Sequence, residues 1–169
     1  AGQWGKYIGA NMIGVAGGLE KSQLAINNGY AHCIDRKSEN IVKRVKEITN
    51  GFGVPVVYDS VGKNSFDDSI NSLKPMGMFV SFGSTTGEPP AITPSTLQKM
   101  GSLYITRPTL VNYMAADSDL QNSARQVFDL LKKGILSVTI GQRYKFDQVI
   151  KAHTDMEAGE TLGSSILTF

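Results

Sequence analysis

The residues best placed to do chemistry lie in one short stretch, Asn11-Met-Ile-Gly-Val-Ala-Gly-Gly-Leu-Glu-Lys21. It reads as a buried strand over Met12–Ala16, a glycine pair that turns the chain, and a helix opening at Leu19. Ligands of open α/β sheets bind just beyond the carboxyl ends of strands, beside helix N-termini that favour anions. A dinucleotide-binding unit usually carries a carboxylate at such a turn to hold a ribose 2′-hydroxyl. Ala16-Gly17-Gly18 offers none, and Lys21 follows within a turn of helix. If this is the second strand of such a unit, a cation there suits a 2′-phosphate, and hence NADP(H) over NAD(H). The competing reading is a solvated helix-start lysine. A charge-assisted bond to phosphate contributes about 1.5–3 kcal/mol, enough for at least a roughly tenfold cofactor preference.

Other reactive side chains are less well placed. His32 and Cys33 are neighbours in a short strand, so they point to opposite faces, and no further ligand has metal-site spacing. Asp59 follows a strand, where turn formation or helix capping competes with acid-base work and is the stronger reading. Tyr58 reads as core and His153 as a helix-surface residue. Ser164 and Ser165 have no acid-base partner and no nucleophile elbow, which argues against hydrolase chemistry. No catalytic residue is assigned.

The elements that must position these groups alternate along the chain. Helices are expected over about Leu19–Asn28, Glu39–Thr49 with Ser38 as N-cap, Asn64–Leu73, Ser95–Met100, Asp117–Lys133 and Phe146–Glu157. Strands are expected at Ala31–Ile34, Val54–Tyr58, Met78–Phe82, Leu103–Thr106, Ser137–Tyr144 and Ser164–Phe169. Strands alternating with helices of about 10 residues are the signature of a doubly wound, mostly parallel α/β sheet.

Composition agrees: 169 residues, 41% hydrophobic and 19% charged, allow one sizeable core. A formal charge of +2 is too small to argue for nucleic acid as the main partner. A single cysteine excludes an internal disulfide framework and a multi-cysteine zinc site. No apolar run approaches the roughly 20 residues needed to span a bilayer, and no signal peptide is visible, so a cytoplasmic location is expected.

The strand count exposes a gap. A doubly wound nucleotide domain has its first strand at the centre, with a glycine fingerprint directly after it. Here a helix over Ala1–Gly9, with Trp4, Tyr7 and Ile8 at i, i+3, i+4 spacing, precedes the strand at Met12. No G-x-G-x-x-G occurs. The expectation is a Rossmann-like unit over residues 1–169 lacking its first strand, with that strand upstream of Ala1. Two unpaired strand edges would follow, so the 169 residues alone are expected to fold poorly.

Several segments together resemble one family. Gln3-Trp4, Gly9-Ala10, Ile13-Gly14, Glu20-Lys21, Gly29, Lys46-Glu-Ile-Thr49, Val57-Tyr-Asp-Ser-Val-Gly62, Val80-Ser-Phe-Gly83, Gly101-Ser-Leu-Tyr-Ile-Thr-Arg-Pro108 and Gly163-Ser-Ser165 fall in the order seen in quinone oxidoreductases. These are the zinc-free, zeta-crystallin-like branch of the medium-chain dehydrogenase/reductase superfamily. The resemblance implies NADPH as cofactor, a quinone or related enone as substrate, and no protein metal. It also implies a partly β-barrel catalytic domain that is absent here, and a homodimer joined through the strand around Leu103–Ile105.

By position, the resemblance assigns Lys21 to the adenosine 2′-phosphate. Arg36 stands where bacterial members commonly have a tyrosine beside that phosphate, and Gly159 where some put a further arginine. A guanidinium at position 36 suits the phosphate, which it binds bidentately. Ser60 and Val61 fall near the adenine ribose and pyrophosphate; Phe82, Gly83 and Ser84 fall on the nicotinamide side. Hydride transfer needs no acid from this segment, because the nicotinamide carries the reactive hydrogen. Two other readings stand beside this one. One is a non-catalytic, crystallin-like protein that binds NADPH or RNA; the other is a zinc-dependent alcohol dehydrogenase relative whose ligands lie elsewhere.

Overall fold

In the computed structural model, which describes residues 1–169, strand and helix alternate as the sequence pattern requires. The order is α1 (Gly2–Tyr7), β1 (Ile13–Ala16), α2 (Leu19–Asn27), β2 (His32–Asp35), α3 (Ile41–Ile48), β3 (Val54–Asp59), α4 (Phe66–Asn71), β4 (Leu73–Ser81), α5 (Pro94–Lys99) and β5 (Tyr104–Thr106). There follow α6 (Leu110–Tyr113), α7 (Asp117–Lys132), β6 (Ile140–Lys145), a 3-10 turn (Phe146–Gln148), α8 (Val149–Glu157) and β7 (Ser164–Thr168).

Every strand pairing is parallel. β1 bonds to β2 in the register Ile13–His32 to Ala16–Asp35. β3, β4 and β5 form a second group in that spatial order, and β6 pairs with β7. Parallel neighbours need crossovers, and α2, α4, α5 and α8 supply them. This is the Rossmann-like α/β arrangement expected. Its core gathers under β4, where Phe79 is 1% exposed among Phe66, Ile70, Leu73 and Leu103. Phe66 and Phe79 meet edge to face, ring centroids 5.7 Å apart. Full burial of such a side chain contributes about 1.5–3 kcal/mol.

Four expectations are corrected. The third helix begins at Ile41, capped by Asn40, whose side chain accepts from the Lys43 amide at 2.8 Å. Ser38 does not cap it, because its hydroxyl donates to Asp35 at 3.0 Å. The fourth strand starts at Leu73, five residues earlier than its apolar run. It bends at Met76, whose φ of +58° interrupts pairing between Val54 and Val56. The helix before it is correspondingly short and ends at Asn71.

The third correction concerns β3. Val54–Tyr58 reads as a buried strand with Tyr58 in the core, yet Tyr58 is 70% exposed and Val56 39%. β3 bonds only to β4, and β1 only to β2, so each has a free edge and the sheet stands in two pieces. A parallel strand is buried only when neighbours and covering helices continue past it.

The fourth concerns the C-terminus. β7 does not extend the main sheet but pairs with β6 alone. That pair carries α8, with the Tyr144 hydroxyl donating to Asp155 at 2.8 Å and Lys151 donating to the same carboxylate. Lys151 first, then Tyr144, holds the Asp155 carboxyl below its ordinary range.

Candidate functional site

Beyond the carboxyl ends of β1 and β2, two turns are locked together. Asp35 ends β2 and is buried. Its Oδ1 accepts from the Gly18 amide at 2.7 Å and from the Lys37 amide at 3.0 Å. Its Oδ2 accepts from the Ser38 hydroxyl, and its own amide donates to Glu39 Oε2 at 2.8 Å. The Arg36 amide donates to the Ala16 carbonyl at 2.9 Å. The amides of Lys37 and then Gly18 hold the Asp35 carboxyl below the usual carboxylate range, so it is a fixed anion.

The turn this creates is lined by cations. A Cβ placed on Gly17 would lie 3.4 Å from Arg36 Nε and Nη2 and 3.6 Å from Lys37 Cε. Lys37 is the residue that the sequence reading missed; the signal available was the Arg36-Lys37 pair directly after a strand. Lys21, in the first turn of α2, donates through its ammonium to the Gly159 carbonyl. Gly159 therefore stands beside Lys21.

The remaining predicted residues form a second group, on the turns after β3 and β4. Asp59 is buried, and its Oδ1 accepts from the Val61 amide at 2.7 Å and the Gly62 amide at 3.0 Å. Its Oδ2 accepts from the Ser65 hydroxyl at 2.6 Å and the Ser69 hydroxyl at 2.5 Å. Burial pushes this carboxyl up, but the four donors outweigh it and hold the pKa below the ordinary value. All of its acceptor capacity is spent on shaping the turn, as the turn-forming reading of Asp59 requires.

That turn is stitched to the next one. Thr85 and Thr86 amides donate to the Ser60 and Val61 carbonyls at 3.2 and 2.9 Å, and the Lys63 amide donates to Gly87 at 2.9 Å. Gly62 has φ +89°, and a Cβ there would collide with the Gly87 carbonyl oxygen, while a Cβ on Gly83 would lie 2.8 Å from the Ser60 carbonyl oxygen. Ser60, Val61, Gly83 and Ser84 thus sit on one rigid, backbone-lined rim, with Phe82 half exposed on it. Arg36, over Gly17, and Lys21, bonded to Gly159, belong to the β1–β2 piece of the sheet.

His32 is exposed and Cys33 half-buried, as their alternation requires. Burial pushes the Cys33 thiol up. No three His, Cys, Asp or Glu side chains gather anywhere in the chain. No helix is long and apolar enough to cross a membrane.

Parallel β–α–β units with a cation-lined turn beyond the strand ends define a dinucleotide-binding type of α/β protein. The sequence pattern of the zinc-binding dehydrogenase family matches residues 28–167. A quinone oxidoreductase of Pseudomonas aeruginosa is 40% identical over 165 residues, 98% of this chain and 51% of that protein. The 2-haloacrylate reductase of a Burkholderia species is 34% identical over 97% of this chain and 50% of that protein. The Escherichia coli quinone oxidoreductase, solved in complex with NADPH, superposes with a TM-score of 0.95 at 37% identity, covering all of this chain and 52% of that one. The chain belongs to the zinc-binding dehydrogenase family. It spans about half the length of the curated relatives it matches. The family's name implies zinc, but the residues present here do not fit a zinc site.

Proposed function

We propose that this chain is the NADP(H)-binding part of an oxidoreductase that passes reducing equivalents from NADPH to a quinone or related enone. The observation that carries this reading is the Gly17-Gly18 turn, overhung by Arg36 and Lys37 with Lys21 in the first turn of α2, whose one neighbouring carboxylate, Asp35, is spent on the Gly18 and Lys37 amides. Guanidinium and ammonium groups there suit a 2′-phosphate; a ribose hydroxyl pair would need an acceptor carboxylate. The relatives named as a quinone oxidoreductase and a 2-haloacrylate reductase support an activated-alkene or quinone acceptor.

In this reading Lys21, Arg36 and Lys37 hold the adenosine end. Ser60 and Val61 flank the ribose and pyrophosphate, and Phe82, Gly83 and Ser84 line the nicotinamide side largely through backbone. When bound, the cofactor supplies a hydride from its nicotinamide. The chain's own task is orientation: the stitched turns keep the rim from shifting.

Residues 1–169 are read as one Rossmann unit incomplete at its N-terminal side, with the barrel-like catalytic domain outside this chain. The free edges of β1 and β3 support that, since one more parallel strand between them would pair both. A homodimer through β5 is proposed on similar grounds: β5 bonds only to β4, and Tyr104, Ile105, Leu110 and Val111 are exposed. A cytoplasmic location fits the single free thiol. The test is NADPH oxidation by the full-length enzyme with and without a quinone, against NADH. Quinone-dependent turnover with NADPH preferred is expected; tight NADPH binding with no turnover on quinones or enones overturns the enzymatic reading.

A further inference from the structure

Asp35 is the one buried carboxylate in contact with both turns of the cation-lined site, and it touches none of the cations' charged ends. The geometry points to Asp35 as a positioning residue for cofactor choice: it fixes Arg36 and Lys37 over Gly17 and so sets the preference for a 2′-phosphate. This rests on the NADP(H) reading above.

The argument begins with what the carboxylate does to the backbone. One oxygen, Oδ1, takes both the Gly18 amide at 2.7 Å and the Lys37 amide at 3.0 Å, so the loop after β1 and the loop after β2 are bonded to the same atom. Gly17 lies next to one of those amides, and Arg36 and Lys37 carry or adjoin the other. The result is the 3.4 Å spacing between the Arg36 guanidinium and the place a Gly17 Cβ would occupy. Two long, exposed cationic side chains lose rotamer freedom when they bind an anion, and a fixed backbone origin reduces that loss.

A second consequence follows from the same bond. The Gly18 amide, at the start of α2, is already used by Asp35 and is not free for a phosphate. The side chains of Lys21, Arg36 and Lys37 are therefore the charged groups left at this turn for an anion. Asp35 also has a cost, because it is an anion close to where a doubly charged phosphate would sit. Position and charge thus act in opposite directions, and two substitutions separate them. Asp35→Asn keeps an oxygen for both amides and removes the charge; the Ser38 hydroxyl turns to accept from the new amide. Asp35→Ala removes both.

The test is calorimetric titration of the full-length enzyme with NADPH and with NADH, reading the ratio of the two dissociation constants alongside a thermal melt. Asp35→Ala is expected to lower the preference for NADPH by about tenfold while NADH affinity changes little, since a 1.4 kcal/mol loss at one phosphate site has that effect. Asp35→Asn is expected to keep or raise the preference. A merely structural role would weaken both cofactors alike and leave the ratio unmoved. If both variants raise the ratio, or neither changes it, or Asp35→Asn lowers it, the inference fails. If Asp35→Ala does not fold, Asp35→Glu, whose longer stem moves the oxygen off both amides while keeping the charge, takes its place with the same expected fall in the ratio; an unmoved ratio overturns the inference. Equal affinity of the wild type for NADPH and NADH would overturn the NADP(H) reading itself, a different outcome from an unchanged ratio in the variants.

Discussion

Gln3 and Ser137, 134 positions apart, exchange two hydrogen bonds: the Gln3 amide nitrogen donates to the Ser137 hydroxyl at 2.8 Å, and the Ser137 backbone amide donates to Gln3 Oε1 at 2.9 Å. The same Gln3 nitrogen donates to Asn28 at 2.7 Å. One side chain therefore joins α1, the end of α2 and the segment leading into β6. Gln3→Ala is expected to cost about 1 kcal/mol, the net value of an intramolecular hydrogen bond or two partly in solvent. Its signature is local: faster hydrogen exchange at Ser137 and through β6, with β4 amides unchanged. Uniform loss of protection would contradict it.

Asp59 offers a larger effect. Asp59→Ala strands two backbone amides and two hydroxyls around a buried turn, and a loss of about 3 kcal/mol or more is expected. Urea unfolding of the wild type and variant measures it. The pH dependence has a definite sign. A carboxyl whose folded pKa lies below its unfolded value of about 3.9 contributes stability that is complete above that value and is lost as pH falls through the folded one. Asp59, Asp35 and Asp155 are all depressed, so the wild type should lose stability below about pH 4, and Asp59→Ala should flatten that slope. An equal slope in the variant would remove Asp59 from the account.

How much of this was legible beforehand differs by residue. Short apolar runs such as Met12–Ala16 and the amphipathic pattern of Ile41, Val42, Val45 and Ile48 report local burial, and both elements formed, the helix starting two residues later than expected. The places of Lys21, in the first turn of α2, and of Arg36, directly after β2, were readable because both are fixed by the strand ends. Asn40 against Ser38 was not readable: both can cap a helix, and the choice depends on Asp35 claiming the Ser38 hydroxyl. The early start of β4 was hidden behind Pro75 and the left-handed Met76, which look like a turn until pairing with Val54 is known. Tyr58 was misread because its type favours a strand interior, while its exposure depends on whether a neighbour occupies the far edge of β3. Lys37 was missed since only the folded turn brings its stem against Gly17.

The basic site makes a prediction about discrimination. If Lys21 holds the 2′-phosphate as proposed, Lys21→Ala in the full-length protein should weaken NADPH binding about tenfold or more and leave NADH within about twofold, because NADH lacks the group that would take that charge-assisted bond. Titration with both cofactors checks it. Parallel losses for the two would reassign Lys21 to holding Gly159 in place.

The free edge of β5 leads to a test of assembly. Tyr104 is 58% exposed and Ile105 43%, on a strand with one bonded neighbour. Tyr104→Glu would set a like charge against its own copy across a two-fold axis, a costly arrangement at an isologous interface. Sedimentation of the full-length enzyme should show a dimer for the wild type and a monomer for the variant. A dimer in both places the contact elsewhere.

The free edges of β1 and β3 carry the most demanding prediction. Each exposes a row of unpaired backbone groups, and Val15, Val56 and Tyr58 on those strands are 49%, 39% and 70% exposed. Unpaired edges flanked by apolar side chains recruit other strands, so residues 1–169 produced alone should aggregate at micromolar concentration and melt without a sharp transition. In the full-length enzyme the β1 and β3 amides should exchange slowly, at rates like those of β4, because a further strand would bond both edges. The comparison isolates the edge effect from overall stability, because β4, bonded on both sides by β3 and β5, serves as the internal reference for the β1 and β3 edges. Tyr58→Lys, which puts a charge on the exposed edge strand, should reduce aggregation of the 169-residue polypeptide without restoring its cooperative melt. A monomeric 169-residue chain with a sharp transition would show that the two pieces of the sheet need no strand between them.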